Sequence, residues 1–312
     1  MLDLNQIRRN IILSLAKSGS GHLGGSLGTV EIQALILGKY IQFNREKINQ
    51  ALKLDKSEQL AQAIVLRGDR HKFLLSAGHL APCYYAVLAQ MGELDPLIKQ
   101  HLQLNTDPSP EARTAYLETL RQVDGDLEGH VSLDHLPFWV DGSTGPLGQG
   151  AGTSLGYAWS DIKKRKDHHT FALLGDGECQ EGQVWEAAML AAKLKLKNLT
   201  WVIDRNYIQI DGNTEEIGGL DNSNADLNTN GLADKFRAFG WVVHENKQGN
   251  DYFTCDTELE KLMSTQRMHS KPGILINYSQ VGYPFETFNS YKWHGKTPSA
   301  EQAEQALQQL GF

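Results

Sequence analysis

The sequence predicts an α/β fold, a mostly parallel sheet with helices on both faces. Two observations predict it. Apolar runs of strand length alternate with segments of helical periodicity along most of the 312 residues, the pattern of a sheet wrapped on both sides. Gly175-Asp176-Gly177 closes one apolar run and Asn206 follows another, thirty residues after Asp176, with a helical segment between them. A right-handed strand–helix–strand crossover lays such strands side by side. Asp176 and Asn206 then emerge at one carboxyl edge of the sheet.

The elements follow in chain order. Leu4, Ile7, Ile11 and Leu15 recur at helical spacing and predict an amphipathic first helix. Arg8-Arg9 before an apolar stretch imitates a signal peptide, but the stretch runs about six residues against roughly 7–15 for such a leader, and Lys17 ends it. Residues 44–67, charged and rich in Lys, Gln and Leu, suit a surface helix. Strands are expected at 72–76, 170–174, 200–203, 240–244 and 273–277, and helices at 82–90, 150–160, 184–194 and 232–239. Lys163-Lys164-Arg165-Lys166, beside Asp161 and Asp167, reads as a solvated helix end. Residues 221–230 hold four asparagines and read as a mobile loop. After Pro298, Ser299-Ala300-Glu301-Gln302 is a capping box that opens a short helix through Leu307 and Leu310. No second set of strands follows, so residues 1–312 are expected to form one domain.

Composition narrows the function. Thirty basic and 37 acidic residues give a net charge of -7, which argues against a nucleic-acid surface. Cys83, Cys179 and Cys255 are odd in number and without paired spacing, which fits a reducing compartment and offers no zinc site. No apolar stretch approaches membrane-spanning length, and the expected location is the cytoplasm.

At the carboxyl edge, one carboxylate and one amide oxygen suit a hard divalent cation whose other ligands are water and phosphate oxygens. The flanking glycines let a diphosphate approach the backbone, and a helix start favours negative charge. Four further segments carry candidate chemistry: Ser18 to Gly28 with His22, Asp69 to His79, the glycine loop Asp141 to Gly150, and Tyr291 to Gly295 with His294. With Gly175 to Glu186 and Asp204-Arg205-Asn206, these resemble, in order, the N-terminal diphosphate-binding half of transketolase. The likeness runs from about Asn10 to Pro298 and is closest to the free-standing N-terminal subunits of transketolases split into two polypeptides.

The resemblance implies thiamine diphosphate as cofactor, with Mg2+ (Ca2+ or Mn2+ as substitutes) held by Asp176, Asn206 and the Ile208 carbonyl. It places His79 and His294 at the diphosphate beside Gly177, the Gly145 carbonyl at the aminopyrimidine, and Leu147 on the cofactor ring. Glu181 resembles the glutamate that links the activation machinery across the subunit interface. His22 and His294 would flank the C3 hydroxyl of a ketose phosphate, and His130 would hold its C1 hydroxyl, with His135 as the nearby competitor. Histidine titrates near neutral pH and can serve proton transfer in both directions. His71, His101, His168, His169, His244 and His269 read as surface or structural residues.

The implied reaction is transfer of a two-carbon ketol unit from a ketose phosphate to an aldose. In this family the glutamate that protonates the aminopyrimidine lies in a second α/β domain. That half is expected on a partner chain of broadly similar size, two copies of each chain forming the enzyme. Leu23 stands where the family commonly has Pro, Gly249-Asn250-Asp251 where it has Gly-His-Asp, and Tyr278 to Pro284 where it has a Lys-Thr stretch. These last departures put the standard sugar-phosphate specificity in question. Two other readings compete. One is the α subunit of a two-chain 2-oxoacid dehydrogenase, which lacks the three histidine segments. The other is a non-catalytic cofactor-binding or assembly subunit, against which the intact Asp176, Asn206, His22, His79 and His294 argue.

Overall fold

The computed structural model describes residues 2–123, 125–221 and 231–312. Five strands form one sheet: β1 (Lys72–Leu75), β2 (Thr170–Gly175), β3 (Leu199–Arg205), β6 (Val242–Asn246) and β7 (Gly273–Tyr278). The two-residue strands β4 (Ile208–Gln209) and β5 (Gly212–Asn213) pair antiparallel as a separate hairpin. The main sheet runs in the order β1-β2-β3-β7-β6, every pair parallel. β1, β2, β3 and β7 are rich in apolar residues because both faces are covered, whereas the edge strand β6 is only partly buried and ends in His244-Glu245-Asn246. On β2, Phe171 and Leu173 enter one core while Ala172 and Leu174 enter the other, the two-residue period of a strand. The first core receives the helices Leu4–Ser18, Val30–Leu35, Ala81–Met91 and Tyr252–His269; the second receives Gln149–Lys163, Gly182–Lys193 and Gly231–Ala238.

The first helix is capped at Asp3, whose carboxylate accepts from the Asn5 and Gln6 amides, and it stops at Gly19 in the left-handed conformation. Its Arg8 is buried against Glu31, an ion pair inside the molecule. Ser299 and Gln302 make the reciprocal capping box expected of the last helix.

Several expectations are corrected in detail. Residues 44–67 form two helices, Arg45–Ala51 and Lys56–Arg67, because Asp55 starts a new capping box with Glu58. β6 begins at Val242 because Gly240, at φ +92°, closes the preceding helix and Trp241 is drawn into the second core. The basic run does end a helix at Lys163, but Lys166 turns back to donate to the Gly68 carbonyl. The loop expected at 221–230 lies, apart from Asp221, outside the described residues. All three cysteines are free and buried. Among the described residues no helix is long and apolar enough to cross a membrane.

Two glycine-dependent features shape the site. Leu23–Gly28 is a buried helix despite its three glycines, since a Cβ at Gly28 would sit 2.7 Å from the Gln280 carbonyl oxygen. A Cβ at Gly78 would meet Thr144 Oγ1 at 2.7 Å and the Gly145 nitrogen at 3.1 Å. Bare backbone at these points lets the helix after His22 close on the Gln280 segment, and the turn carrying His79 close on the loop carrying Gly145.

Candidate active site

The crossover between β2 and β3 pairs Gly175 with Asp204, so the residues that follow each strand leave the same carboxyl edge. A cavity of about 460 Å³ opens there. Asp176 and Asn206 form its floor with Ile208, Gly177 and Asp204; His22, His79, His130 and His294 stand along its wall; Leu147 and Glu181 lie at its rim.

Asp176 is buried and fully engaged on one oxygen. Oδ2 accepts from Arg205 Nη1 at 2.9 Å and the Tyr207 amide at 2.7 Å, while Oδ1 accepts only from the Gly177 amide at 2.8 Å. Burial pushes its carboxyl up to about 6, opposed by the Arg205 guanidinium and these hydrogen bonds. Asn206 donates Nδ2 to Asp204 Oδ2 at 2.7 Å, which fixes the amide, and its Oδ1 accepts from the Ile208 amide at 2.8 Å. Asp204 also accepts from the Ser279 hydroxyl, and burial pushes its carboxyl up to about 7. Arg205 is buried, ion-paired to Asp176, Glu215 and Asp221, and lies over the Tyr207 ring.

The imidazoles of His22, His79 and His294 form a triangle, with ring centroids 4.9 Å apart for His22 and His79, 5.1 Å for His79 and His294, and 5.7 Å for His22 and His294. His22 precedes the helix Leu23–Gly28, His79 lies in the turn after β1, and His294 follows the turn Tyr291–Trp293. Burial, reinforced by His294, lowers His22 to about 4. Burial likewise carries His79 well below the usual imidazole range and lowers His294 and His130, the last with help from Arg121. These rings are therefore neutral bases at neutral pH. His22 Nδ1 is buried with no partner among the described residues.

His130 lines the cavity, whereas His135 pairs with Glu128 at 2.9 Å and lines a different depression. The other histidines stand elsewhere: His71 accepts from the His169 amide, His169 contacts Thr200, His168 approaches Lys72, His244 meets Glu258, and His101 packs on Tyr116. His269 borders a surface depression beside the helix Gly182–Lys193. Asn250 donates to the Gly28 carbonyl at 2.9 Å and accepts the Gln280 amide at 2.7 Å, bracing two segments behind the site. None of residues 249–251 or 278–284 is among those lining the cavity.

Sequence reasoning did not single out Asp204, Glu178, Gln209 or Ile210, which also line the cavity. Asp204 and Glu178 lie inside the quoted motifs, so the signal was present. Gln209 and Ile210 belong to a hairpin too short to read.

The residues present fit a metal-bound diphosphate. The open oxygens on the floor are a carboxylate and an amide, the hard donor set of a divalent cation that takes further ligands from phosphate. Among the described residues no cluster of three or more His, Cys, Asp or Glu side chains could hold a metal by itself. A cavity of this size is ordinary for a cofactor, and the buried, unpartnered Nδ1 of the cavity-lining His22 is a polar atom that a polar occupant could satisfy.

Fold and cavity together define a cofactor-binding protein of the parallel α/β class, with its site at the carboxyl ends of the strands. The chain belongs to the family described as transketolase, thiamine diphosphate binding domain, whose model matches residues 2–312. It is a transketolase-type subunit. The chain is 28% identical over 314 residues to an apulose-4-phosphate transketolase subunit from Phocaeicola vulgatus, covering 99% of this chain and 92% of that protein. It is 30% identical over 306 residues to the subunit of the same name from Actinobacillus succinogenes, covering 97% and 93%. A transketolase variant from Pichia stipitis, solved with fructose 6-phosphate, superposes with a TM-score of 0.76 at 24% identity, over 99% of this chain and 40% of its own; that likeness speaks to the fold.

Proposed function

We infer that this chain is the diphosphate-binding subunit of a two-polypeptide transketolase, moving a ketol unit from a ketose phosphate to an aldose. The observation that supports it most is the convergence of Asp176, Asn206 and Ile208 on the floor of a cavity walled by four lowered histidines. Asp176, Asn206 and the Ile208 carbonyl hold Mg2+, for which Ca2+ or Mn2+ can substitute, and the metal holds the diphosphate. His79 and His294 reach the diphosphate beside Gly177. The Gly145 carbonyl and Leu147 face the cofactor ring, and Glu181 meets the partner. When bound, thiamine diphosphate supplies the thiazolium on which a two-carbon unit can be carried.

The chain's own residues manage position and protons. His22 and His294, neutral and close together, take the proton from the donor's C3 hydroxyl and return it to the acceptor. His130 holds the C1 hydroxyl. The chain acts as one domain, 1–312, in the cytoplasm, and becomes active with a second subunit that carries the aminopyrimidine-activating glutamate. Two copies of each complete the assembly. Calorimetric titration of thiamine diphosphate into the chain assembled with its second subunit, with and without Mg2+, tests the cofactor assignment. Binding is expected only with the metal; no binding at millimolar cofactor and metal would refute it.

A further inference from the structure

Glu178 has no part in the chemistry just described, yet like Asp176 it is a cavity-lining carboxylate that accepts three hydrogen bonds. It is 2% exposed. Its Oε1 accepts from Ser76 Oγ at 2.5 Å and from the Gly148 amide at 2.7 Å, and its Oε2 accepts from the Gly175 amide at 3.0 Å. Ser76 follows β1, Gly175 ends β2, and Gly148 closes the glycine loop and opens the helix Gln149–Lys163. One side chain thus ties the loop to both strand ends. All three partners donate, so the geometry calls for a group that accepts on both atoms, which a carboxylate does and an amide does not.

The helix start at Gly148 is consequently occupied by the protein's own anion, which leaves the metal and the Gly175–Gly177 turn to receive a diphosphate. Further back the loop is held by Asp141, which pairs with Arg70 and accepts the Phe73 amide, and by the Thr144 amide on the Val131 carbonyl. Gln183 Nε2 donates to the Leu147 carbonyl at 2.7 Å. Glu178 is the tie between the loop's last residue and the strand ends. Gly148 is at φ +80°, and a Cβ there would press on Gln183 at 2.8 Å, so the turn relies on bare backbone.

We propose that Glu178 is a positioning residue for the cofactor: its carboxylate bridges the Gly148 loop to the strand ends and so sets the Gly145 carbonyl and Leu147 against the ring. The proposal rests on the thiamine diphosphate reading above. It separates the site into two parts. The diphosphate end depends chiefly on Asp176 and Asn206, with Glu178 reaching it only through the Gly175 amide, whereas the ring end depends on the loop that Glu178 holds.

Glu178→Gln keeps the size of the side chain but breaks the bridge in either amide orientation, because its NH2 must face either Gly175 or the Ser76–Gly148 pair. The full-length chain, assembled with its second subunit, is titrated at saturating Mg2+ with thiamine diphosphate and separately with inorganic pyrophosphate. Glu178→Gln is expected to weaken thiamine diphosphate binding by about tenfold, the scale of one charge-assisted hydrogen bond, and to change pyrophosphate binding by less than about threefold. Amide hydrogen exchange over residues 142–148 should quicken, with β2 and β3 unchanged. If Glu178→Gln does not fold, Glu178→Asp, one methylene too short to span loop and strand, takes its place with the same expected split. Unchanged thiamine diphosphate affinity in the folded variant, or an equal loss for both ligands, overturns the proposal. Failure of the unmodified chain, assembled with its second subunit, to bind either ligand with Mg2+ would instead remove the cofactor reading on which it stands.

Discussion

Asp176 has one oxygen committed to Arg205 and Tyr207, while the other carries a single backbone hydrogen bond, so its remaining capacity faces the cavity. It is the one ionisable group in the proposed metal set, and Asp176→Ala should weaken Mg2+-supported thiamine diphosphate binding by more than about 100-fold, beyond the range typical of a residue behind a ligand. Calorimetry on the variant checks this; undiminished affinity would contradict the assignment. His22→Ala and His294→Ala should each lower kcat by about 10²–10⁴-fold. Cofactor affinity should fall more for His294→Ala, because only His294 is proposed to reach both diphosphate and substrate.

The direction of the histidine shifts gives a pH dependence. A base lowered from 6.5 to about 4 stays unprotonated in mildly acidic solution. The acid limb of kcat/KM assigned to His22 should therefore fall below pH 6.5, toward 4, in the assembled enzyme. An acid limb at or above pH 6.5 that disappears in His22→Ala would show that His22 titrates as an ordinary imidazole.

At the scale of elements, the glycines divide into two kinds. A Cβ at Gly28 would lie 2.7 Å from a backbone oxygen, which cannot move aside as a flexible side chain could, whereas Gly152 has nothing within 4 Å. Gly28→Ala should destabilise the chain by about 1–3 kcal/mol through overpacking. Gly152→Ala, inside the exposed face of Gln149–Lys163, should stabilise it by about 0.5–1 kcal/mol through helix propensity. Urea denaturation of both variants checks the pair, and equal shifts would refute the packing argument. β6, partly buried at the sheet edge, showed only through Trp241-Val242-Val243. The other four sheet strands were legible because each is buried on two faces and so reads as an apolar run. The helix Leu23–Gly28 was not, because glycines dictated by tertiary approach look like a loop. The break at Asp55 was hidden in a stretch whose charge pattern continues across it. β4 and β5 are two residues each, too short to carry a period.

For the whole molecule, order in space was more legible than partnership. The spacing of Asp176 and Asn206 dictates one sheet edge, and the β2–β3 register delivers it. Nothing in the sequence announces that Asp204 orients Asn206, that Arg205 joins Asp176 to Glu215 and Asp221, or that Glu178 links three segments. Such pairings join residues by tertiary contact and leave no periodicity. The Pichia stipitis transketolase that shares this fold is matched over 40% of its length, whereas the two apulose-4-phosphate transketolase subunits are matched over 92% and 93%. On the proposed function, this chain supplies half of an active site. A cofactor held between two chains favours the associated state by mass action, so binding and assembly must strengthen one another. The direct measurement is a titration of the purified chain with its second subunit, with Mg2+ and thiamine diphosphate present, followed by an assay of ketol transfer from a ketose phosphate to an aldose. No transfer is expected from the chain alone, and activity should rise to saturation as the partner is added. Robust ketol transfer by the isolated 312-residue chain would contradict that expectation.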